Sequence, residues 1–458
     1  MRFIVLTYNS PDDPSATGTA SIKHYFRGMP KTIDPEPTPF DLYDQTTLNE
    51  FFSQEVLPIK AARHMFIVWG HGAGLGFFPT IAPGSFTTQA WFSQVFDPVP
   101  VVDHDKKKEA LDSKDLANAI NFLQANFSMR PNFAPALGSY VSFGDQVYKI
   151  RDHTMIHTLF KVVSVDQLAK ALGILDQKTD IFIASNCYSQ IFDAGFALKD
   201  KVEIMIAAET PIPISGFSYL PFFRNLRNAK SVPKDDSPAD QTYLDNLTIN
   251  LVSKFNSKYT NSYLKKLRKK DTTLEYDKDS ISLSGNRLSV YPQLQEVVAS
   301  LGTILSASLP LRAPADFSSA IHNARTACRD LASPSDNIGT IDLTFFLHQL
   351  QQRFDGLNNK DLDPIVDKLE KIRKDCTIAI LSPKALSTPT MDPFSPAGRK
   401  IFNCQNPQFL AIYCPLSSGT GQMAIQDSLF KLFKEQTSNS AHLPAAKPWD
   451  NFVLQFHG

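Results

Sequence analysis

Long hydrophobic runs, paired cysteines and an excess of charge are all missing from this sequence of 458 residues. No stretch approaches the roughly 18–20 consecutive apolar residues of a membrane-spanning helix, so we expect no membrane segment. The apolar run near the N-terminus is too short for a signal peptide, and no small-residue cleavage site follows it. We therefore expect a cytoplasmic protein, unless the natural N-terminus has been trimmed.

Cysteine is scarce and follows no recognisable spacing. The five cysteines are Cys187, Cys328, Cys376, Cys404 and Cys414. An odd, sparse set without CxxC or zinc-site spacing fits reduced thiols better than a disulfide framework. The sequence also has no EF-hand and no dense carboxylate cluster, so we predict no metal and no cofactor.

Charge is balanced, with 46 basic and 46 acidic residues. A net charge of zero argues against nucleic acid or an anionic membrane as the main partner.

Residues 264–270 form one basic stretch. We interpret it as a solvated helix end, with a protease-sensitive linker or a partner-binding patch as alternatives.

Short, nearly continuous apolar runs separated by helical patterns are what the sequence does contain. The runs are Phe3-Ile-Val-Leu6, Met65-Phe-Ile-Val-Trp69, Asp180-Ile-Phe-Ile-Ala184 and Val202-Glu-Ile-Met-Ile-Ala207. Such runs are typical of strands buried on both faces of a largely parallel sheet. Helical patterns cover about 48–57, 165–175 and 190–198, with Ser164 and Gln167 as a capping box. Alternation of this kind predicts an α/β sandwich.

A change of character near residue 230 suggests two regions. We predict one domain over residues 1–229, with an insertion at about 75–150 that is rich in Pro, Phe and Gly. Residues 230–458 should be largely helical, with a late strand at about 409–414.

Histidine and cysteine follow two of the predicted strands. His71 lies in Trp69-Gly-His-Gly-Ala-Gly-Leu-Gly76, and Cys187 ends Ala184-Ser-Asn-Cys187. Reactive groups gather at the carboxyl ends of strands in open α/β sheets, so the two residues form a candidate pair. A thiolate is a strong nucleophile, and an imidazole can deprotonate the thiol or protonate a leaving amine. The backbone N–H groups of Gly72 and Cys187 are candidate oxyanion donors.

Purely structural roles for these residues stay open as alternatives. The histidine could be structural, the glycines could only form a tight turn, and the cysteine could be a buried apolar residue. A phosphate-binding loop is disfavoured because no G-x-G-x-x-G and no Gly-Lys-Ser/Thr is present.

Several segments resemble the clostripain-like cysteine peptidases, which have a caspase-like fold. The segments are Phe66-Ile-Val-Trp-Gly-His-Gly72, Ser164-Val-Asp-Gln-Leu-Ala-Lys-Ala-Leu172, the strand into Cys187, residues 196–209 and the loop 211–222 with Gly216-Phe-Ser-Tyr219. Weaker matches at 280–283, 324–325, 341–343 and 410–415 extend the resemblance over most of the chain in the family's order. It implies a caspase-like α/β/α sandwich with a mostly parallel central sheet and a largely helical C-terminal extension. It also implies that Cys187 is the nucleophile, His71 the general acid–base group and Gly72 an oxyanion donor.

Two positions depart from the family pattern. The family carries an acid two residues before the nucleophile, where it binds a basic P1 side chain, the substrate residue before the scissile bond. Here Ser185 occupies that position, and Ser215 occupies that of a second expected acid. A desolvated Arg or Lys without a carboxylate partner is costly to bury, so we predict an S1 pocket for a neutral residue unless Asp193 or Glu209 reaches into it.

The resemblance predicts a cysteine endopeptidase for limited intracellular proteolysis of a protein or peptide substrate, with a regulatory partner protein as a further expectation. The alternatives are an inactive caspase-like scaffold that binds a protein partner, and thiol-dependent acyl transfer. Some family members need calcium or internal cleavage, which leaves calcium and processing in the loop 106–108 open. His153 and His157 lack the Glu of a zinc motif, so we interpret them as a structural pair.

Overall fold

A computed structural model of the chain describes residues 2–9, 18–26, 36–70, 72, 74–81, 96–98, 140–143, 146–150, 160–210, 212, 219, 223, 237–255, 282–309, 315–328, 339–381, 390–391, 400–401, 410–415, 430, 432–434 and 447–457. The strands are β1 (Arg2–Asn9), β2 (Thr19–Phe26), β3 (Thr38–Pro39), β4 (Met65–Trp69), β5 (Gly76–Ile81), β6 (Phe96–Pro98), β7 (Tyr140–Phe143), β8 (Gln146–Ile150), β9 (Phe160–Ser164), β10 (Thr179–Ser185), β11 (Val202–Ala207), β12 (Leu283–Arg287), β13 (Thr340–Asp342), β14 (Thr377–Leu381), β15 (Thr390–Met391), β16 (Lys400–Ile401) and β17 (Ala411–Tyr413). The α-helices are α1 (Gln45–Phe51), α2 (Val165–Leu172), α3 (Phe192–Leu198), α4 (Pro238–Phe255), α5 (Tyr291–Ser308), α6 (Ala315–Ala327), α7 (Leu343–Gly356), α8 (Asp363–Cys376) and α9 (Lys447–His457). A π-helical turn continues α1 over Phe52–Val56.

The central sheet has five strands in the order β14–β12–β11–β10–β4. Strands β4, β10 and β11 run parallel to one another. Strand β12 is antiparallel to both β11 and β14, so four of the five strands point the same way. The mostly parallel sheet predicted from the sequence is confirmed.

The sheet is buried on both faces. Every residue of β10 is buried, as expected of a strand between two layers. Because side chains alternate along a strand, Ile181 and Ile183 pack towards α4, whereas Phe182 and Ala184 point to the other side. We call these sides the α4 face and the α5 face, the second being covered by α2, α3 and α5. This three-layer arrangement confirms the predicted α/β/α sandwich.

Local sequence signals account for several helix ends. Ser164 and Gln167 form the predicted capping box at the start of α2, in which each side chain bonds the other residue's backbone N–H. The Asp342 carboxylate caps α7 by accepting the N–H of Phe345 at 2.7 Å. Helices α4 to α9 confirm the helical C-terminal extension, and β17 lies within the segment 409–414. No helix among the described residues is long and apolar enough to cross a membrane.

The prediction for the first apolar run was wrong in one respect. Strand β1 pairs with β2 in a separate three-stranded antiparallel sheet, and Val5 is 40% exposed. Leu6 and Tyr8 pack against the core while Thr7 is exposed, so this is a strand with one buried face rather than two. The four-residue apolar run did not reveal which face would be covered.

Much of the insertion at about 75–150 lies outside the described residues, including the charged cluster 103–109 and the loop 106–108. The same holds for the basic stretch 264–270 and for His153 and His157. Strands β6, β8 and β7 form a small antiparallel sheet within the insertion.

Candidate active site

The ends of β4 and β10 lie side by side in register. Trp69, the last residue of β4, pairs with Ser185, the last residue of β10. The backbone N–H of Gly70 donates to the carbonyl of Ser185 at 3.4 Å, which carries the contact one residue beyond the strand. The segments that follow the two strands therefore leave the sheet together.

Gly72 contacts the cysteine turn directly. A Cβ atom at this position would lie 2.1 Å from the carbonyl oxygen of Cys187 and 3.0 Å from the Cβ of Asn186. A Cβ atom would clash with the backbone of Cys187, so the short distance between residue 72 and this turn requires glycine at position 72. His71 lies outside the described residues, between Gly70 and Gly72 in sequence.

Cys187 begins the turn after β10 and is partly exposed. Its Sγ accepts the backbone N–H of Ile212 at 3.4 Å and lies 3.7 Å from the carbonyl oxygen of the same residue. The hydroxyl of Ser189 donates to the carbonyl of Cys187 at 3.3 Å. Tyr188 has a φ of 58°, in the left-handed region, so the turn bends sharply immediately after the sulfur-bearing residue.

The other described cysteines are less accessible. Cys328, Cys376 and Cys414 are all buried. Burial raises the pKa of Cys376 to about 12, and burial also raises the pKa of Cys328. Since the thiolate is the reactive form, these two thiols are poor nucleophiles at neutral pH. Cys404 lies outside the described residues.

Backbone hydrogen bonds fix the cysteine turn to the strands behind it. The N–H of Tyr188 donates to the carbonyl of Thr210 at 3.4 Å, and that of Gln190 donates to Ala208 at 2.9 Å. Ser282 lies just before β12. Its hydroxyl oxygen accepts the backbone N–H of Glu209 at 3.1 Å, and its own backbone N–H donates to the hydroxyl oxygen of Thr210 at 2.9 Å. The turn is therefore supported by chain from both halves of the sequence.

Ser185 points to the α4 face. It follows Ile183 by two residues, which places both side chains on the same side of β10. Its hydroxyl is buried and has no hydrogen-bond partner among the described residues. Tyr219 packs on the same face, and burial raises its pKa. Ser215, the second predicted S1 residue, lies outside the described residues.

The two acids considered for the S1 pocket lie on the α5 face. The carboxylate of Glu209 acts on Tyr291 of α5, whose pKa is raised well above its usual range by burial, by Cys376 and by Glu209. Asp193, in the first turn of α3, has its pKa raised to about 6 by burial and by Asp166 of α2. The sheet separates both acids from Ser185.

Two features of this site were not assigned from the sequence. The backbone N–H of Ile212 donates to the sulfur of Cys187, and a backbone contact of this kind cannot be predicted from a pattern of side chains. Tyr219 was noted only as part of a motif, although its spacing of four residues from Phe223 is a signal for stacked aromatic side chains on one helical face. Among the described residues, no group of three or more His, Cys, Asp or Glu is placed to hold a metal ion.

No protein-family profile matches the chain, and no curated protein matches it in sequence. Its structure is similar to an inactive zymogen C11 protease from Parabacteroides distasonis, with a TM-score of 0.48 and 12% identity over 97% of this chain and 87% of that one. It is also similar to a secreted C11 cysteine protease from Bacteroides thetaiotaomicron in complex with an irreversible peptide inhibitor, with a TM-score of 0.49 and 11% identity over 98% and 89% of the two chains. A clostripain from the same organism has a TM-score of 0.36 and 11% identity over 59% of this chain and 95% of that one. These structures are C11 or clostripain proteases, the peptidase type whose motifs the sequence resembles.

Proposed function

We propose that this protein is a cysteine endopeptidase that cleaves a protein or peptide substrate. Cys187 Sγ attacks the scissile carbonyl carbon, and the carbonyl oxygen becomes an oxyanion that accepts hydrogen bonds from the N–H groups of Gly72 and Cys187. The thiol proton passes to His71, and the carbon–nitrogen bond breaks as His71 gives that proton to the departing amine. Water then attacks the thioester, and one water proton passes through His71 to the leaving sulfur. The acid product and the free thiol are released.

The contact between Gly72 and the carbonyl of Cys187 carries this proposal. It brings the residue that follows His71 in sequence against the residue proposed as nucleophile, although 115 positions (187 − 72) separate them. The register that ends with Trp69 opposite Ser185 supports the same pairing of strand ends.

The surroundings of the sulfur support a nucleophilic role. The Ile212 N–H stabilises negative charge on Sγ, because a hydrogen bond to a charged acceptor is stronger than one to a neutral acceptor. Cys187 is also partly exposed, whereas Cys328, Cys376 and Cys414 are buried. A thiol that must reach a substrate carbonyl needs both properties.

Several finer points belong to the same proposal. The peptidase acts in the cytoplasm on a protein substrate, under the control of a regulatory partner protein, and it needs neither a metal nor another cofactor. Its S1 pocket is not restricted to Arg or Lys, because Ser185 stands where a carboxylate would be required. Nucleic acid and membrane are not its partners.

Turnover of a proteome-derived peptide pool tests the proposal. We expect the wild-type protein to cleave a subset of peptides, and we expect Cys187→Ala and His71→Ala to lose this activity. His348→Ala on α7 and Cys376→Ala serve as matched controls and should retain it. Cleavage that survives in Cys187→Ala would contradict the proposal, and absence of cleavage by wild type would favour the inactive scaffold.

A further inference from the structure

Strand β17 lies between β13 and the cysteine turn, residues 187–190. On one edge, β17 pairs antiparallel with β13. On the other edge, the backbone N–H of Ala411 donates to the carbonyl of Gln190 at 2.9 Å, and Ala411 forms a parallel bridge with Ile191. The turn that carries Cys187 is therefore bonded to a strand 224 positions (411 − 187) further along the chain.

The backbone of Gln190 is held from two directions. Its N–H donates to the carbonyl of Ala208, just after β11, at 2.9 Å, and its carbonyl accepts the N–H of Ala411. Gln190 is completely buried, so water cannot easily replace either partner. Without the Ala411 N–H, the end of the turn would be fixed only from the β11 side.

Two buried side chains from helices hold the C-terminal end of β17. The indole N–H of Trp449 on α9 donates to the carbonyl of Tyr413 at 3.3 Å, and the guanidinium of Arg325 on α6 donates to the carbonyl of Cys414. Trp449 is 2% exposed and Arg325 is 1% exposed. Because both bonds are made to backbone carbonyls, they fix the position of the strand itself.

The side chain of Trp449 is fixed in turn by its own neighbours. A Cβ atom on Gly302 of α5 would lie 2.3 Å from the backbone nitrogen of Trp449, so α9 packs closely against α5. The indole ring meets Phe346 of α7 edge to face, with centroids 6.4 Å apart and an angle of 76° between the planes. The direction of the indole N–H is therefore set by the packing of α9.

We propose that Ala411 is a positioning residue for Cys187, and that Trp449 supports it by fixing β17. The proposal rests on the peptidase function proposed above and adds a role for the C-terminal segment in the active site. The N–H of Ala411 holds the end of the cysteine turn through Gln190. With the turn fixed in this way, Sγ stays within hydrogen-bonding distance of the Ile212 N–H, which stabilises the thiolate.

Alkylation of Cys187 by iodoacetamide, followed by mass spectrometry of the digested full-length protein, tests this without any turnover. Ala411→Pro removes the N–H donor, whereas the matched change Ala411→Gly keeps it. At a temperature where circular dichroism shows both variants to be folded, we expect alkylation at pH 7 to be about fivefold slower in the proline variant, in line with the loss of one hydrogen bond. The pH at which the rate is half its maximum should also rise by about 0.7 of a pH unit in that variant alone.

Trp449→Phe is a milder change that tests the same path. It removes the indole N–H and keeps an aromatic ring, so we expect alkylation of Cys187 to be about two- to threefold slower. Phe456→Leu is the matched control, because Phe456 is also buried on α9 but its side chain carries no hydrogen-bond donor. This variant should keep the wild-type rate and the wild-type pH profile.

Equal alkylation rates in Ala411→Pro and Ala411→Gly, or equal rates in Trp449→Phe and Phe456→Leu, would overturn the inference. If Ala411→Pro does not fold, the comparison of the two α9 variants decides alone. These outcomes leave the peptidase proposal standing, because that proposal is judged by wild-type turnover and its loss in Cys187→Ala.

Discussion

Gly72 lies so close to the carbonyl oxygen of Cys187 that a Cβ atom would come within 2.1 Å of it. The two residues follow neighbouring strands, and their contact brings together two segments that are remote in sequence. Because the oxygen belongs to the backbone of a turn held on both sides, it cannot move aside without shifting the sulfur.

Replacement of Gly72 by alanine should therefore disrupt the site. We expect Gly72→Ala to lower peptidase activity at least about 100-fold, since displacement of one oxyanion donor alone has an effect of that size. Gly356→Ala is the matched control, because nothing lies within 4 Å of a Cβ there. Steady-state kinetics on a cleaved peptide measures both, and normal activity in Gly72→Ala would show that the contact does not matter.

The backbone N–H of Ile212 should control the reactivity of the sulfur. Ile212→Pro removes this donor, whereas Ile212→Val keeps it and changes only the side chain. We expect the alkylation rate of Cys187 by iodoacetamide at pH 7 to fall about tenfold in the proline variant and to stay near wild type in the valine variant. Equal alkylation rates in the proline and valine variants would show that the Ile212 N–H does not affect the reactivity of Cys187.

The pH dependence of stability should reflect the buried acids on the α5 face. The pKa of Asp450 on α9 is raised to about 8 by burial and by Asp193, and the pKa of Asp193 is raised to about 6. Both lie above the value of about 3.9 for an unfolded aspartate, so between about pH 4 and 8 the folded chain binds more protons than the unfolded chain. Stability should therefore fall as the pH rises through this window, by up to about 1.4 kcal/mol per pH unit for each group.

Denaturant unfolding at several pH values tests this with Asp450→Asn. We expect the asparagine variant to lose most of the slope between pH 6 and 8. Asp367→Asn, at an exposed position on α8, should keep the wild-type slope. A stability that rises with pH over this interval would mean that neither carboxyl is protonated in the folded chain.

Arg63 should be a large contributor to the stability of the sheet. It pairs with Asp180 of β10 and Asp240 of α4, whose side chains are 4% and 2% exposed. Arg63→Ala leaves two buried carboxylates without this partner, so we expect a loss of about 3–5 kcal/mol in the free energy of unfolding by urea. Lys368→Ala, which breaks an exposed pair with Glu296, should cost less than about 1 kcal/mol.

The parts of the fold that local sequence dictates could be predicted. The continuous apolar runs of β4, β10 and β11 identified the parallel core, and the Ser164–Gln167 capping box identified the start of α2. Strand β12 was not anticipated, because Leu-Ser-Gly-Asn-Arg287 carries no strand pattern. Strand β14 was missed although Thr377-Ile-Ala-Ile-Leu381 is rich in the β-branched residues that favour strands. They become strands because neighbours far away in sequence supply their hydrogen bonds.

The candidate site was predictable to a similar extent. Strand ends and residue chemistry pointed to His71, Gly72 and Cys187, and the family resemblance pointed to Ser185. The face occupied by Glu209 depends on the packing of α5, and the hydrogen bond from the Ile212 backbone to the Cys187 sulfur joins residues 25 positions apart (212 − 187). Neither relationship can be predicted from a local sequence pattern.

Reaction with a peptide that carries a thiol-reactive electrophile at P1 tests the central claim most directly. Mass spectrometry of the digested adduct should find the label on Cys187 in the wild-type protein, and Cys187→Ala should take up no label. A Gly72→Ala protein that remains folded should react more slowly than wild type. A label found instead on Cys328, Cys376 or Cys414, or a wild-type protein that takes up none, would contradict the assignment of Cys187 as the nucleophile.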